Sequence, residues 1–122
     1  MQARHRLTGE ADFRRVRRTG TSYSHPLFVL VVSASELPAV RLGVSASRSM
    51  GTAVRRNRAK RRLRETFRPL MPDLPGGWDL VVVARPALLE AEWQALQAAA
   101  RLLLKRAGLQ RSESRLRGDR PD

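Results

Sequence analysis

The stretch Ala53–Arg68, AVRRNRAKRRLRETFR, decides how the rest of the chain is read. Eight of its sixteen residues are Arg or Lys and one, Glu65, is acidic, so it carries +7 of the chain's formal +13. At about 100° per residue, Ala59, Leu63, Thr66 and Phe67 fall on one narrow arc. Arg55, Arg56, Asn57, Arg58, Lys60, Arg61, Arg62, Arg64 and Arg68 spread round the remainder. The pattern predicts a helix with a thin core-facing stripe and cations elsewhere. Like charges four apart, such as Arg58 with Arg62 and Lys60 with Arg64, destabilise an isolated helix by about 0.2–0.5 kcal/mol each. So dense a set makes physical sense when a polyanion neutralises it.

Working outward, 122 residues fit one domain with one core, and 42% hydrophobic composition is enough to build it. The sequence pI near 11.8 points to a strongly anionic partner. Residues 1–20 hold six Arg against Glu10 and Asp12, a net +4, while residues 109–122 net only +1. The charge therefore sits in the N-terminal segment and the central helix. The longest apolar runs, Leu27–Val32 and Leu80–Ala84, are too short to span a bilayer, and no apolar run follows the N-terminal arginines as a secretory signal requires. The helix's apolar stripe is thin for interfacial insertion, so no membrane role is expected. Without cysteine there are no disulfides and no thiolate metal sites, which fits a cytoplasmic chain.

In chain order, Thr8 is a plausible N-cap for a helix over Gly9–Arg18, with Glu10 and Asp12 in its first turn and Gly20 at its end. Thr21–Ser24 suits a short edge strand. Leu27–Ser33, LFVLVVS, reads as a buried strand, with Phe28 in the core. Ser35–Pro38 is a turn, and Val40–Ser47 reads as a strand paired antiparallel with the preceding one through it. The basic helix ends near Arg68 because Pro69 disfavours helical geometry in the residue before it. Leu70–Gly77 is a loop and Asp79–Ala84 a third clear strand. Glu90–Ala107 is a helix, with Trp93, Leu96, Ala100, Leu103, Leu104 and Ala107 as its core stripe and Gly108 at C′. The expected architecture is an α/β (α+β) two-layer sandwich with a small sheet: one polyanion-binding domain over residues 1–108, then a polar, disordered tail over 109–122.

No catalytic constellation emerges. His5 and His25 have no carboxylate nearby in sequence, no His or Cys spacing suggests zinc, and the eleven carboxylates do not cluster. The residues describe a polyanion-binding module instead. Arginine's planar fork makes two hydrogen bonds to one phosphate, and Asn57 can read a base edge or a ribose hydroxyl. DNA-binding zipper helices also mix Asn with Arg, but they continue into heptads, whereas Pro69 and a Pro/Gly loop follow here.

Ala53-Val54, Arg56-Asn57, Lys60-Arg61 and Arg64-Glu65 fill every fixed position of A-V-x-R-N-x-x-K-R-x-x-R-E, the helix signature of the bacterial ribonuclease P protein subunit, which the chain resembles. Asp12-Phe13, Gly43-Val44-Ser45 before Ser47-Arg48, and Asp79–Ala84 leading into Arg85 agree, so the resemblance covers about residues 4–108. It implies a division of labour. A catalytic RNA subunit holds Mg²⁺ and removes the 5′ leader of precursor tRNA. The protein binds that RNA and the single-stranded leader, has no catalytic residue, holds no metal of its own and takes no small-molecule substrate. Arg48, Arg55, Arg56, Asn57, Arg58, Lys60, Arg61, Arg62 and Arg64 are then the expected RNA-binding residues. Phe13, Arg14, Arg17 and Val31 would belong to the leader cleft, with Arg17 and Val31 replacing the family's aromatic residues. The resemblance also implies a mixed sheet in which Val40–Ser47 and Asp79–Ala84 run parallel, joined by the basic helix in a left-handed crossover. The rival reading is a ribosome-associated or general RNA/DNA-binding module without a part in catalysis.

Overall fold

The computed structural model describes residues 6–7 and 9–109. The element order is α1 (Glu10–Thr19), β1 (Thr21–Ser24), β2 (Phe28–Ala34), β3 (Arg41–Ala46), α2 (Ala53–Phe67), β4 (Trp78–Ala84) and α3 (Trp93–Arg106). Thr8 and residues 110–122 lie outside the described residues. Gly9 is the α1 N-cap and makes no side-chain cap bond.

The four strands lie in the order β1-β2-β4-β3. β2 is antiparallel to both β1 and β4, while β3 is parallel to β4, from Arg41 opposite Asp79 to Ala46 opposite Ala84. The antiparallel pairing of β2 with β3 expected from the Ser35–Pro38 turn does not form, because β4 lies between them. A strand covered on both faces must be apolar almost throughout. β4 meets that demand: Leu80, Val82 and Ala84 join one core cluster, and Val81 the other. The Gly- and Ser-containing β3 takes the edge. The turn still does structural work: the Ser35 N–H donates to the Gly77 carbonyl at 2.8 Å. Gly76 lies so close to the Pro38 carbonyl that no Cβ fits there.

The larger core lies between the sheet and α2 with α3. Ala59, Leu63, Thr66 and Phe67 are the buried residues of α2, the same arc read from the sequence. Leu96, Ala99, Ala100, Leu103 and Leu104 are those of α3. Phe28 is fully buried and meets Phe67 edge-on, with ring centroids 5.7 Å apart. Trp93, expected in the core, is instead exposed at the first residue of α3. The helix starts later than predicted because Pro86–Glu90 forms a 3₁₀ turn ahead of it. Likewise Arg68–Asp73 is 3₁₀ rather than loop, with Pro69 at a position where a missing N–H is tolerated. Leu109, assigned to the polar tail, is buried in the core, and its N–H donates to the Leu104 carbonyl beyond the left-handed Gly108.

The smaller core lies on the opposite face, where Val16 of α1 packs with Leu7, Val31 and Val81. Gly20 allows α1 to end against the sheet, since a Cβ there would stand 2.5 Å from the Val32 carbonyl oxygen.

Candidate nucleic-acid interface

α2 is positioned by its two ends. Gly51 adopts φ of 103°, a left-handed geometry that favours glycine, and turns the chain from a 3₁₀ segment at Arg48–Met50 into the helix. Thr52 Oγ1 then accepts the Arg55 N–H at 3.2 Å as the N-cap bond. At the other end, the apolar arc pins Leu63 and Phe67 in the core.

This seating sorts the polar residues of α2 into three sets. Arg56, Asn57, Lys60 and Arg64 line a groove that runs between α2 and α1 over the edge of β3. Arg58 and Arg61 are exposed, and by helical phase they share an outer face with Val54, whose side chain is 77% exposed. Arg55 and Arg62 serve the fold. Arg55 Nε donates to the Met50 carbonyl at 2.9 Å and secures the entry turn. Arg62 donates to the carbonyls of Leu88 at 2.7 Å and Ala91 at 2.8 Å, satisfying the turn that leads into α3. The guanidinium of Arg62, expected at the RNA surface, is thus committed to protein carbonyls that would otherwise lie half-buried without donors.

The groove encloses about 740 Å³. Arg48 contributes from the turn before α2, and Glu10, Phe13, Arg14 and Arg17 from α1. Arg6 and Leu7 close one end beside Leu42. Arg48, Arg56, Asn57, Lys60 and Arg64 of the expected RNA-binding set and Phe13, Arg14 and Arg17 of the expected leader-cleft set therefore meet in one cleft. Val31 does not belong to it. It is 3% exposed, packed under Val16, because its phase along β2 points it beneath α1.

Gly43 explains how Phe13 reaches the groove. A Cβ on Gly43 would lie 2.6 Å from the Phe13 Cζ, so the missing side chain lets the ring settle on the sheet with one side left half-exposed. Seven cationic side chains surround the groove against the single carboxylate of Glu10, which pairs loosely with Arg14 at 3.6 Å. Burial, and then the nearby Arg6 guanidinium, lower the Arg64 pKa. The site carries repulsion that an incoming polyanion would relieve.

A buried cluster behind the groove escaped the sequence reading. Asp79, at the start of β4, is fully buried. Arg41 of β3 grips it with two bonds of 2.9 Å, and Arg15 of α1 donates a third at 2.7 Å. Burial alone would raise the Asp79 pKa, but the bonds from Arg41 and Arg15 outweigh it and hold the carboxyl below its ordinary value. The cluster ties α1, β3 and β4 together. Arg15 and Arg41 lie 26 positions apart in the sequence and Asp79 a further 38, so only the tertiary fold could reveal it. Among the described residues, no group of three or more His, Asp or Glu side chains converges as a metal site would require. No helix of the described residues is long and apolar enough to cross a membrane.

Residues 1–108 match the family model described as Ribonuclease P. The chain is 42% identical over 109 residues to the ribonuclease P protein component of Herpetosiphon aurantiacus, covering 89% of each chain. Among solved structures, the RNase P protein of Staphylococcus aureus superposes with a TM-score of 0.77 at 31% identity, covering 87% of this chain and 97% of that one. The RNase P protein of Thermotoga maritima gives 0.73 at 33% identity, covering 83% and 96%. The chain belongs to the ribonuclease P protein family.

Proposed function

We propose that this member of the ribonuclease P protein family works as the protein subunit of a cytoplasmic ribonucleoprotein endoribonuclease that removes the 5′ leader from precursor tRNA. The observation that carries the mechanism is the division of α2 into two free cationic faces. Its outer face, with Arg58 and Arg61, binds the catalytic RNA. Its inner face, with Arg56, Asn57, Lys60 and Arg64, holds the single-stranded leader together with Phe13, Arg14, Arg17 and Arg48. Phe13 offers a half-exposed ring on which a base can stack, worth about 1–3 kcal/mol. Arg17 supplies a guanidinium for phosphate or stacking where an aromatic ring was to be expected. With Val31 buried, the leader is held more by charge than by stacking. Mg²⁺ bound by the RNA subunit supplies the hydrolytic chemistry. The protein raises affinity for the substrate that still carries its leader.

Reconstitution with the cognate RNA tests this. At low Mg²⁺, added protein should increase 5′ cleavage and bind precursor tRNA more tightly than mature tRNA. Equal affinity for the two would instead support a general RNA-binding module. Cleavage by the nuclease-free protein alone would refute the division of labour.

A further inference from the structure

We propose that the open edge of β3 forms a hydrogen-bonding strip on the groove floor that recognises ribose 2′-hydroxyls of the bound single strand. This rests on the groove being the leader site.

The backbone phase of β3 carries the argument. Along a strand, the N–H and C=O of one residue point to the same side, and the side alternates with each residue. β3 is the last strand of the sheet; among the described residues it pairs with β4 along one edge and is bridged on the other by Arg6 at Leu42. Leu42 fixes the phase. Its carbonyl accepts the Leu7 N–H at 2.9 Å, so its polar groups face away from β4. Val44 and Ala46 are in phase with Leu42, and their N–H and C=O groups face the same way. The Arg6–Leu7 strap ends at Leu42. Among the described residues, no hydrogen bond reaches Val44 or Ala46 from that side. Leu42, Val44 and Ala46 all line the groove; Ser45, whose own N–H and C=O face β4, lines it as well, whereas Arg41 and Gly43 do not.

An open edge of this kind needs both donors and acceptors. The groove walls are rich in Arg and Lys, which only donate. They satisfy the phosphates of any nucleic acid. Carbonyls on the floor need a donor, and a phosphodiester has none. A 2′-hydroxyl both donates and accepts, so it matches a neighbouring N–H and C=O. The pairs at Val44 and Ala46 repeat about every 6.7 Å, close to one step of an extended ribose-phosphate chain. Open edges also capture peptides by strand addition, but seven cations around this one favour a polyanion.

The test compares precursor tRNAs whose leaders are all ribose, all 2′-deoxy, or 2′-deoxy at single positions, each bound to the holoenzyme at fixed salt. Losing a hydroxyl that meets the edge should weaken binding by roughly 2- to 12-fold at one or two adjacent positions. The RNA subunit alone should show no such loss. Ala46→Pro removes the edge N–H without breaking a ladder bond. In this variant, with thermal unfolding checked, the penalty at the matching position should shrink. An all-deoxy leader that binds as tightly as the ribose leader, both exceeding mature tRNA, overturns the inference, as does equal discrimination by the RNA subunit alone. If neither leader adds affinity over mature tRNA, the leader-site reading fails and takes this inference with it.

Discussion

Asp79→Ala removes the acceptor of three guanidinium hydrogen bonds and leaves Arg15 and Arg41 without their shared partner. Breaking a buried ion pair by deleting one member costs about 3–5 kcal/mol. Arg15 and Arg41 keep 35% and 19% of their side-chain surface exposed, so water recovers part of each stranded charge. The expected loss is therefore about 2–3 kcal/mol. For a folded unit of this size that lowers the thermal midpoint on the order of 10–20 °C. The dependence on pH has a definite sign. The folded carboxyl has a lowered pKa, so between its folded and unfolded values the unfolded chain binds more protons, and stability rises with pH. The contribution is complete above the unfolded value, near 3.8, and is lost as pH falls through the folded one. Thermal unfolding followed by circular dichroism at pH 7 and in steps down to acid should show a large gap between the wild type and Asp79→Ala that narrows once the pH drops below 3.8. Arg18→Ala, on the exposed side of α1, is the control and should melt like the wild type. Equal midpoints at pH 7, or a gap that widens in acid, would refute the reasoning.

Three further outcomes separate the roles assigned along α2 and α1. Arg58→Ala with Arg61→Ala should leave the melting temperature unchanged and flatten the plot of log affinity against log salt by about 0.7–0.9 per lost phosphate contact. Arg62→Ala should do the reverse. It costs about 1–3 kcal/mol by stranding the Leu88 and Ala91 carbonyls, with no change in that slope. Gly43→Val pushes into the Phe13 ring, where even a Cβ comes within 2.6 Å. The overpacking costs about 1–3 kcal/mol, and the displaced ring should reduce the preference for precursor over mature tRNA about tenfold, read by equilibrium binding of the two substrates.

The local patterns of this chain were legible because local physics sets them. The buried arc of α2 follows from helical periodicity alone, and the strands Phe28–Ala34 and Trp78–Ala84 follow from the apolar runs Phe28–Val32 and Leu80–Ala84 within them, which admit little else. The +13 charge and its concentration in α2 announced a polyanion before any contact was known. Partnership was different. Which strand pairs with which depends on competition for the doubly covered central place, and β4 won it over the nearer β3. Whether an arginine meets solvent or a carbonyl depends on what the fold brings beside it, so Arg62 and Arg58, four residues apart in one basic run, end in different roles. Val31 lies buried away from the groove for the same reason, since the direction of one β2 side chain matters only once α1 lies over it. Sequence by itself determined the elements and the charge, because periodicity and composition are properties of neighbouring residues. Only the tertiary structure decided the Asp79 cluster, the groove and the division of α2 into faces, because each depends on side chains that meet across long separations in the chain.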